Sequence, residues 1–219
     1  MGKSILTPTQ HIVLDLAAAD QGITSWFYFT GGTALSEFYL HHRLSEDLDF
    51  FSNTEFSHEI VDQFIQKASK RINAKPQKKN ILGHAIINLH LKDKSTLKID
   101  FVHQPYKSLE TGGKYKDLRL ASIWDIAVDK LYTIFNRVKA RDFVDLYFLM
   151  KETDCSLEQL ISAMQEKYEI DFDEISLLSR LPIVKDLSDF PTMLVPFDKK
   201  EMEKFYLNLT KKMENKLFK

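Results

Sequence analysis

Apolar positions change period several times along the first half of the chain. Thr7-Pro8 suits the cap and first position of a helix, and Ile12, Val13, Leu16 and Ala17 form its apolar stripe up to Gly22. Trp26 to Phe29 is aromatic and apolar and predicts a short strand. Phe29-Thr30 ends that run, Gly31-Gly32 breaks it, and Thr33 stands where it could cap the next helix. Beyond that helix, period two takes over. Leu48 and Phe50 fall on one side of a strand, while Asp47 and Asp49 fall on the other. Ser57 then opens a helix with Ile60, Val61, Phe64, Ile65, Ala68 and Ile72 at helical spacing, and Pro76 is expected to stop it.

Alternation returns in two further strands. From His84 to Leu91, residues Ala85, Ile87, Leu89 and Leu91 share one side. Lys92 to Ser95 reads as a hairpin turn, and Thr96 to Val102 as the partner strand. There Leu97, Ile99 and Phe101 face one way, and Lys98, Asp100 and Val102 the other. Pro105 ends the strand, and Gln104 to Lys116 reads as a loop around Gly112-Gly113. From Ser122 the pattern is helical: Ile123 to Ile134, Phe143 to Met150, a Ser156-capped helix through Met164, a short helix near Glu174 to Leu181, and a last helix from Asp198. This predicts an α+β (mixed) fold, with a small mixed β-sheet flanked by helices over residues 1–120 and a helical region over 121–219.

Composition sets limits on this picture. With 219 residues, 44% of them hydrophobic, the chain can bury a core. A formal net charge of -1 leaves only a local patch for any nucleic-acid contact. Six cations and no acid lie between Lys67 and Lys79. They read either as a solvated helix face and loop or as a surface for nucleic-acid phosphates. The single cysteine, Cys155, excludes an intrachain disulfide framework and a multi-cysteine zinc site, and fits a reducing cytoplasm. No apolar run approaches the ~20 residues of a membrane helix, so no membrane partner is expected. The opening MGKSILTPTQ lacks a signal-peptide core, and Gly2 lacks the rest of a myristoylation site.

Candidate chemistry gathers in two places. Asp47 and Asp49 on one strand face repel each other unless a cation intervenes, and Asp100 would complete three carboxylates if its strand pairs beside theirs. Oxygen ligands of this kind suit magnesium, and a two-metal site steadies both oxygens in phosphoryl transfer. The alternative is a solvent-facing pair, with Asp100 neutralised by a lysine. The second place is Asp125 to Asp145. Lys130 stands on an otherwise apolar helix side, either snorkelling at the core edge or meeting triphosphate oxygens. Asp142 and Asp145 share a helix face and could aim that lysine, or Asp142 could simply cap the helix. The adjacent His41 and His42 point about 100° apart on a helix, which suits helix-end or surface histidines better than co-ligands.

These motifs resemble a known family. Gly31-Gly32-Thr33, His42-Arg43 and Ser45-Glu46-Asp47-Leu48-Asp49-Phe50-Phe51 look like the signature of the AbiEii/AbiGii toxins, MenT-like nucleotidyltransferases of the DNA polymerase β superfamily. Lys139-Ala140-Arg141-Asp142-Phe143-Val144-Asp145-Leu146 is similar to the family's K-x-R-D-x-x-D motif, and Lys130 stands where its motif lysine is expected. The resemblance implies a nucleotidyltransferase core whose active site is completed by the helical region. Asp47, Asp49, Asp100 and Lys130 would be catalytic. Asp47, Asp49 and Asp100 would bind Mg2+, in two-metal fashion. Gly32, Thr33, Lys130, Arg141 and Asp145 would serve the NTP. The implied acceptor is RNA at the tRNA 3′ end, with an AbiEi-like antitoxin that forms no stable complex. Transfer to a protein hydroxyl, or a non-catalytic nucleotide-binding module, stays open on the residues alone. The superfamily's usual Gly-Ser turn is Gly-Thr here, which keeps the hydroxyl and adds a methyl group.

Overall fold

The computed structural model describes residues 4–171 and 174–217; Gly2 lies outside them. The chain divides into two compact units, residues 1–122 and 123–219. The first is built on a seven-stranded mixed sheet. Its strands are β1 (Tyr28–Thr30), β2 (Leu48–Ser52), β3 (Lys75–Ile81), β4 (His84–His90), β5 (Thr96–His103), β6 (Lys114–Tyr115) and β7 (Leu118–Leu120). They lie in the order β3-β4-β5-β2-β1-β7-β6, with β2–β5 and β1–β7 parallel and the other pairs antiparallel.

One face of this sheet is covered by helices. Leu48, Phe50, Ala85, Ile87, Leu89, Ile99 and Phe101 are fully buried on it. Phe50 and Phe101 stack at 5.1 Å, and Phe64 of α4 (His58–Ile72) meets both edge-on. Burying aromatic area of this kind is the main local source of stability. Helix α1 (Pro8–Ala19) begins with a capping box: Gln10 N–H donates to the Thr7 hydroxyl, and Thr7 N–H donates to the Gln10 side chain. Asp20 then caps a separate helix, α2 (Gln21–Trp26), so α1 stops before Gly22, which lies inside α2. The Asp20 carboxylate, which accepts from Ile23 N–H, outweighs the glycine as the punctuation here. Asn73, with φ of 56°, ends α4, and Pro76 lies in the edge strand β3 instead of stopping a helix.

The second unit is helical: α5 (Ile123–Asn136), α6 (Ala140–Thr153), α7 (Leu157–Tyr168), α8 (Glu174–Arg180), a 3-10 turn at Leu181–Asp186, and α9 (Lys199–Leu217). Ser156 and Gln159 form a second capping box at α7. The core includes Ile126, Leu131, Phe143, Leu146, Leu160, Met164 and Tyr206. The Tyr206 hydroxyl donates to the Phe143 carbonyl at 2.6 Å, giving a fully buried phenol its partner. No described helix is long and apolar enough to cross a membrane.

Candidate active site

The carboxylates sit on the sheet face opposite Phe50 and Phe101. Parallel pairing of β2 and β5 sets Asp49 directly opposite Asp100. Cross-strand partners are about 4.8 Å apart at the backbone, so both acids leave the sheet side by side. Asp47 immediately precedes β2. Its approach loop is pinned from α1, where the Gln10 side-chain amide donates to the carbonyls of Ser45 at 2.9 Å and Glu46 at 3.0 Å.

A lysine stands among the three acids. Lys98 Nζ lies 3.5 Å from an Asp47 oxygen and forms a shorter ion pair with Asp100. An ion pair spans at most about 4 Å, so the two carboxylate oxygens are less than about 8 Å apart. Burial opposes the Lys98 charge, yet the bond to Asp100 and the charges of Asp100, Asp47 and Asp49 together raise its pKa. The other Asp100 oxygen meets His84 Nε2 at 3.2 Å. Burial pushes the Asp100 carboxyl up, but His84 and Lys98 outweigh it and hold the group below the usual carboxylate range. Asp100 is thus an ionised, nearly buried acid with both oxygens engaged.

Among the described residues no three His, Cys, Asp or Glu side chains are already gathered as a metal cage. The donor set nevertheless suits magnesium: three carboxylates on one face, all hard oxygen donors. Lys98 supplies the compensating positive charge in this arrangement, and an ion held by Asp47 and Asp100 would have to displace it.

The glycine turn is fitted to this cluster. Gly31 has φ of 77°, and a Cβ there would overlap the Asp49 carboxylate, 2.7 Å from its Cγ. A side chain is therefore excluded by both backbone and space. Gly32 packs against the buried Arg43 guanidinium and lies close to Ser45. Thr33 does not cap the helix. The helix α3 (Gly31–Leu35) starts two residues earlier, with Thr30 at its cap position and no side-chain cap. The Thr33 hydroxyl, fully buried, instead donates to the Asp47 carbonyl. Glycine in the left-handed region lets the helix begin inside the Gly-Gly pair, which moves threonine into its first turn. Beyond α3 the chain widens into a π-helical turn, Ser36–Leu40, closed by His41 with φ of 49°. His42 is buried, with its Nδ1 3.5 Å from the Ser36 hydroxyl.

In the helical unit, Lys130 of α5 is clamped by two acids of α6, Asp142 at 3.0 Å and Asp145 at 2.6 Å. Both aspartates are fully buried. Arg137 also binds Asp142, at 3.1 Å from Nε. Burial raises the Asp142 pKa, and the Lys130 and Arg137 charges more than offset it, so the net shift is downward. Asp142 therefore ties two cations together, and Lys139, not Asp142, is the cap residue of α6. Arg141 is exposed on the same helix. The roles of Arg43, Lys98, His84 and Arg137 were not legible from motif spacing. Strand alternation did place Lys98 beside Asp100, and Arg43 stands within the signature segment.

The family model that the chain matches fixes the class: the chain is a nucleotidyltransferase-type enzyme. More particularly, it belongs to the family described as "Nucleotidyl transferase AbiEii toxin, Type IV TA system", whose model matches residues 14–214. At that family level its function is that of a nucleotidyltransferase toxin. It is 33% identical over 198 residues to uncharacterized protein aq_aa25 of Aquifex aeolicus, covering 85% of this chain and 91% of that one. Two crystal structures from Helicobacter pylori share the fold. One, described only provisionally as a nucleotidyltransferase, has a TM-score of 0.60 at 22% identity and covers 97% of each chain. The other, JHP933, has a TM-score of 0.56 at 21% identity, over 95% of this chain and 93% of that one.

Proposed function

We propose that the protein is a magnesium-dependent enzyme that transfers a nucleotide from an NTP to RNA, at the 3′ end of tRNA. The observation that carries this reading is the register of β2 and β5, which sets Asp49 opposite Asp100 with Asp47 tied to the same lysine. Asp47, Asp49 and Asp100 would hold Mg2+, in a two-metal arrangement. The ion would supply charge neutralisation of the triphosphate and of the attacking and leaving oxygens. In the transfer, the acceptor hydroxyl oxygen forms a bond to the α-phosphorus, the α–β bridging P–O bond breaks, and pyrophosphate leaves. Asp100 would take the hydroxyl proton on the oxygen that Lys98 now occupies, once that lysine has moved aside.

Backbone N–H groups at the start of α3, those of Gly32 and Thr33 among them, are of the kind that binds phosphate oxygens. The Thr33 side chain contributes by fixing Asp47 through its carbonyl. Lys130 would contact the nucleotide, with Asp142 and Asp145 holding its orientation and Arg141 lending charge. In the cell, a tRNA acceptor would place the work in the cytoplasm. An AbiEi-like antitoxin would control the protein without a stable complex.

The test is incubation with each α-labelled NTP, Mg2+ and either total tRNA or a cell lysate. Label on RNA is the expected result. Label on protein instead would replace the acceptor in this reading, and no label with any NTP would remove the reading altogether.

A further inference from the structure

The carboxylate face of the sheet continues outward onto a cationic strand. Lys78 pairs with Asp62 of α4 at 2.5 Å, so even-numbered β3 residues face the helices. Lys75, Gln77 and Lys79 therefore leave from the other side, the side of the acids. Register confirms it. Lys79 lies opposite Ile86, Ile86 opposite Asp100, and Asp100 opposite Asp49, which is one cross-strand row. At about 4.8 Å per strand, the Lys79 backbone is roughly 10 Å from that of Asp100. In the adjacent rows His90 bridges Gln77 and Thr96, at 3.0 Å to each.

The side chains of Lys75 and Lys79 are exposed, with no ion pair or hydrogen bond among the described residues. Residues 67–99 hold nine lysines and arginines against one acid, Asp93, in a chain whose net charge is -1. Edge lysines also guard against strand addition. That duty does not require them to share a face with a carboxylate cluster. The open-face positions of β3, β4 and β5 carry no Phe, Tyr or Trp, and the two stacking-capable rings there are engaged, His84 with Asp100 and His90 with Gln77 and Thr96.

We propose that the open face of β3 and β4 is the track for the acceptor strand. Lys75 and Lys79 grip phosphates of a single-stranded RNA end and lead its terminal hydroxyl toward Asp100. This rests on the RNA reading above. The grip is on the backbone, so it tolerates any base sequence and weakens steeply with salt.

The experiment measures anisotropy of a fluorescein-labelled single-stranded RNA with a free 3′ hydroxyl, titrated with full-length protein between about 50 and 200 mM salt. The Lys75→Gln/Lys79→Gln variant is compared with wild type and with Lys211→Gln/Lys212→Gln, two exposed lysines of α9. Thermal unfolding checks that each variant is folded. Each lost single-strand phosphate contact removes about 0.7 from the log–log salt slope. The β3 variant should lose about 1.4 in slope and at least about fivefold in affinity, and the α9 variant neither. An equal loss in both variants would mean a general charge effect and overturn the proposal. An unchanged β3 variant, in a protein that labels RNA, would overturn the track and leave the acceptor reading standing. A wild type without salt-dependent RNA binding would overturn both. Wild-type dimerisation lost in the β3 variant, without a change in RNA slope, would assign the edge to self-association and overturn the track.

Discussion

Replacing Lys98 by methionine tests how the acidic face balances its charge. The ammonium is within ion-pair reach of Asp47 and Asp100, and its side chain is 39% exposed. Full low-dielectric Coulomb energies do not apply at that exposure, and partly exposed pairs contribute about 0.2–1 kcal/mol each. Two pairs give about 0.4–2 kcal/mol, which an incoming divalent ion must replace. Since about 1.4 kcal/mol is tenfold in affinity, Lys98→Met should bind Mn2+ about 2- to 30-fold more tightly. Binding is read by the loss of the free-ion EPR signal, with Mn2+ standing in for Mg2+ as an oxygen-seeking probe. Without metal the variant should unfold at lower temperature, because three acids then face one another uncompensated. Millimolar Mg2+ should close that gap by mass action. Lys98→Arg keeps the charge and should stay near wild type. Equal or weaker Mn2+ binding in Lys98→Met would refute the view that this lysine holds the ion's place.

Other outcomes follow from the same contacts. Lys130→Met leaves two fully buried aspartates short of a cation and should cost about 3–5 kcal/mol in urea unfolding; a loss below about 1 kcal/mol would show that the clamp is not structural. Gly31→Ala should abolish nucleotide transfer and destabilise the fold by at least about 1–2 kcal/mol, the left-handed backbone cost alone, since its Cβ also meets the Asp49 carboxylate; an active variant would refute the tight fit. The lowered pKa of Asp142 stabilises the fold above the unfolded-state value of about 3.9 and is lost as pH falls through the lower folded value. Wild type should therefore lose urea stability more steeply than Asp142→Asn as pH falls below about 4, and parallel curves would contradict the assignment.

The parts of the fold visible in the sequence are those where periodicity and burial coincide. Leu48/Phe50 and Leu97/Ile99/Phe101 alternate because one side of β2 and β5 is buried and the other open. That same alternation put Asp49 and Asp100 on one face, although only the register could show that they are partners. Strand β3 is not legible in the sequence because Lys75 to Asn80 has no buried residue and so no hydrophobic period. Strands β6 and β7, of two and three residues, are too short to carry one.

Side-chain partnerships were harder to read. Spacing makes Thr33 a cap candidate, but Gly31 at positive φ lets the helix start earlier and turns the threonine hydroxyl toward Asp47. Lys98 was recognisable as a cation on the acidic face. Its reach to both Asp47 and Asp100 depends on where the loop before β2 ends, which Gln10 fixes from 35 residues away. Arg137 follows α5, and its bond to Asp142 joins two helices across a turn that spacing alone does not orient.

The central claim is that the acids of β2 and β5 form one reaction centre. The most direct measurement is transfer of α-labelled NTP to total tRNA in Mg2+ by wild type, Asp49→Asn and Asp100→Asn, with folding checked by thermal unfolding. The account predicts label on RNA with wild type and a loss of at least about 100-fold in each variant, the scale of losing a catalytic group. Wild-type label undiminished in either folded variant would contradict it.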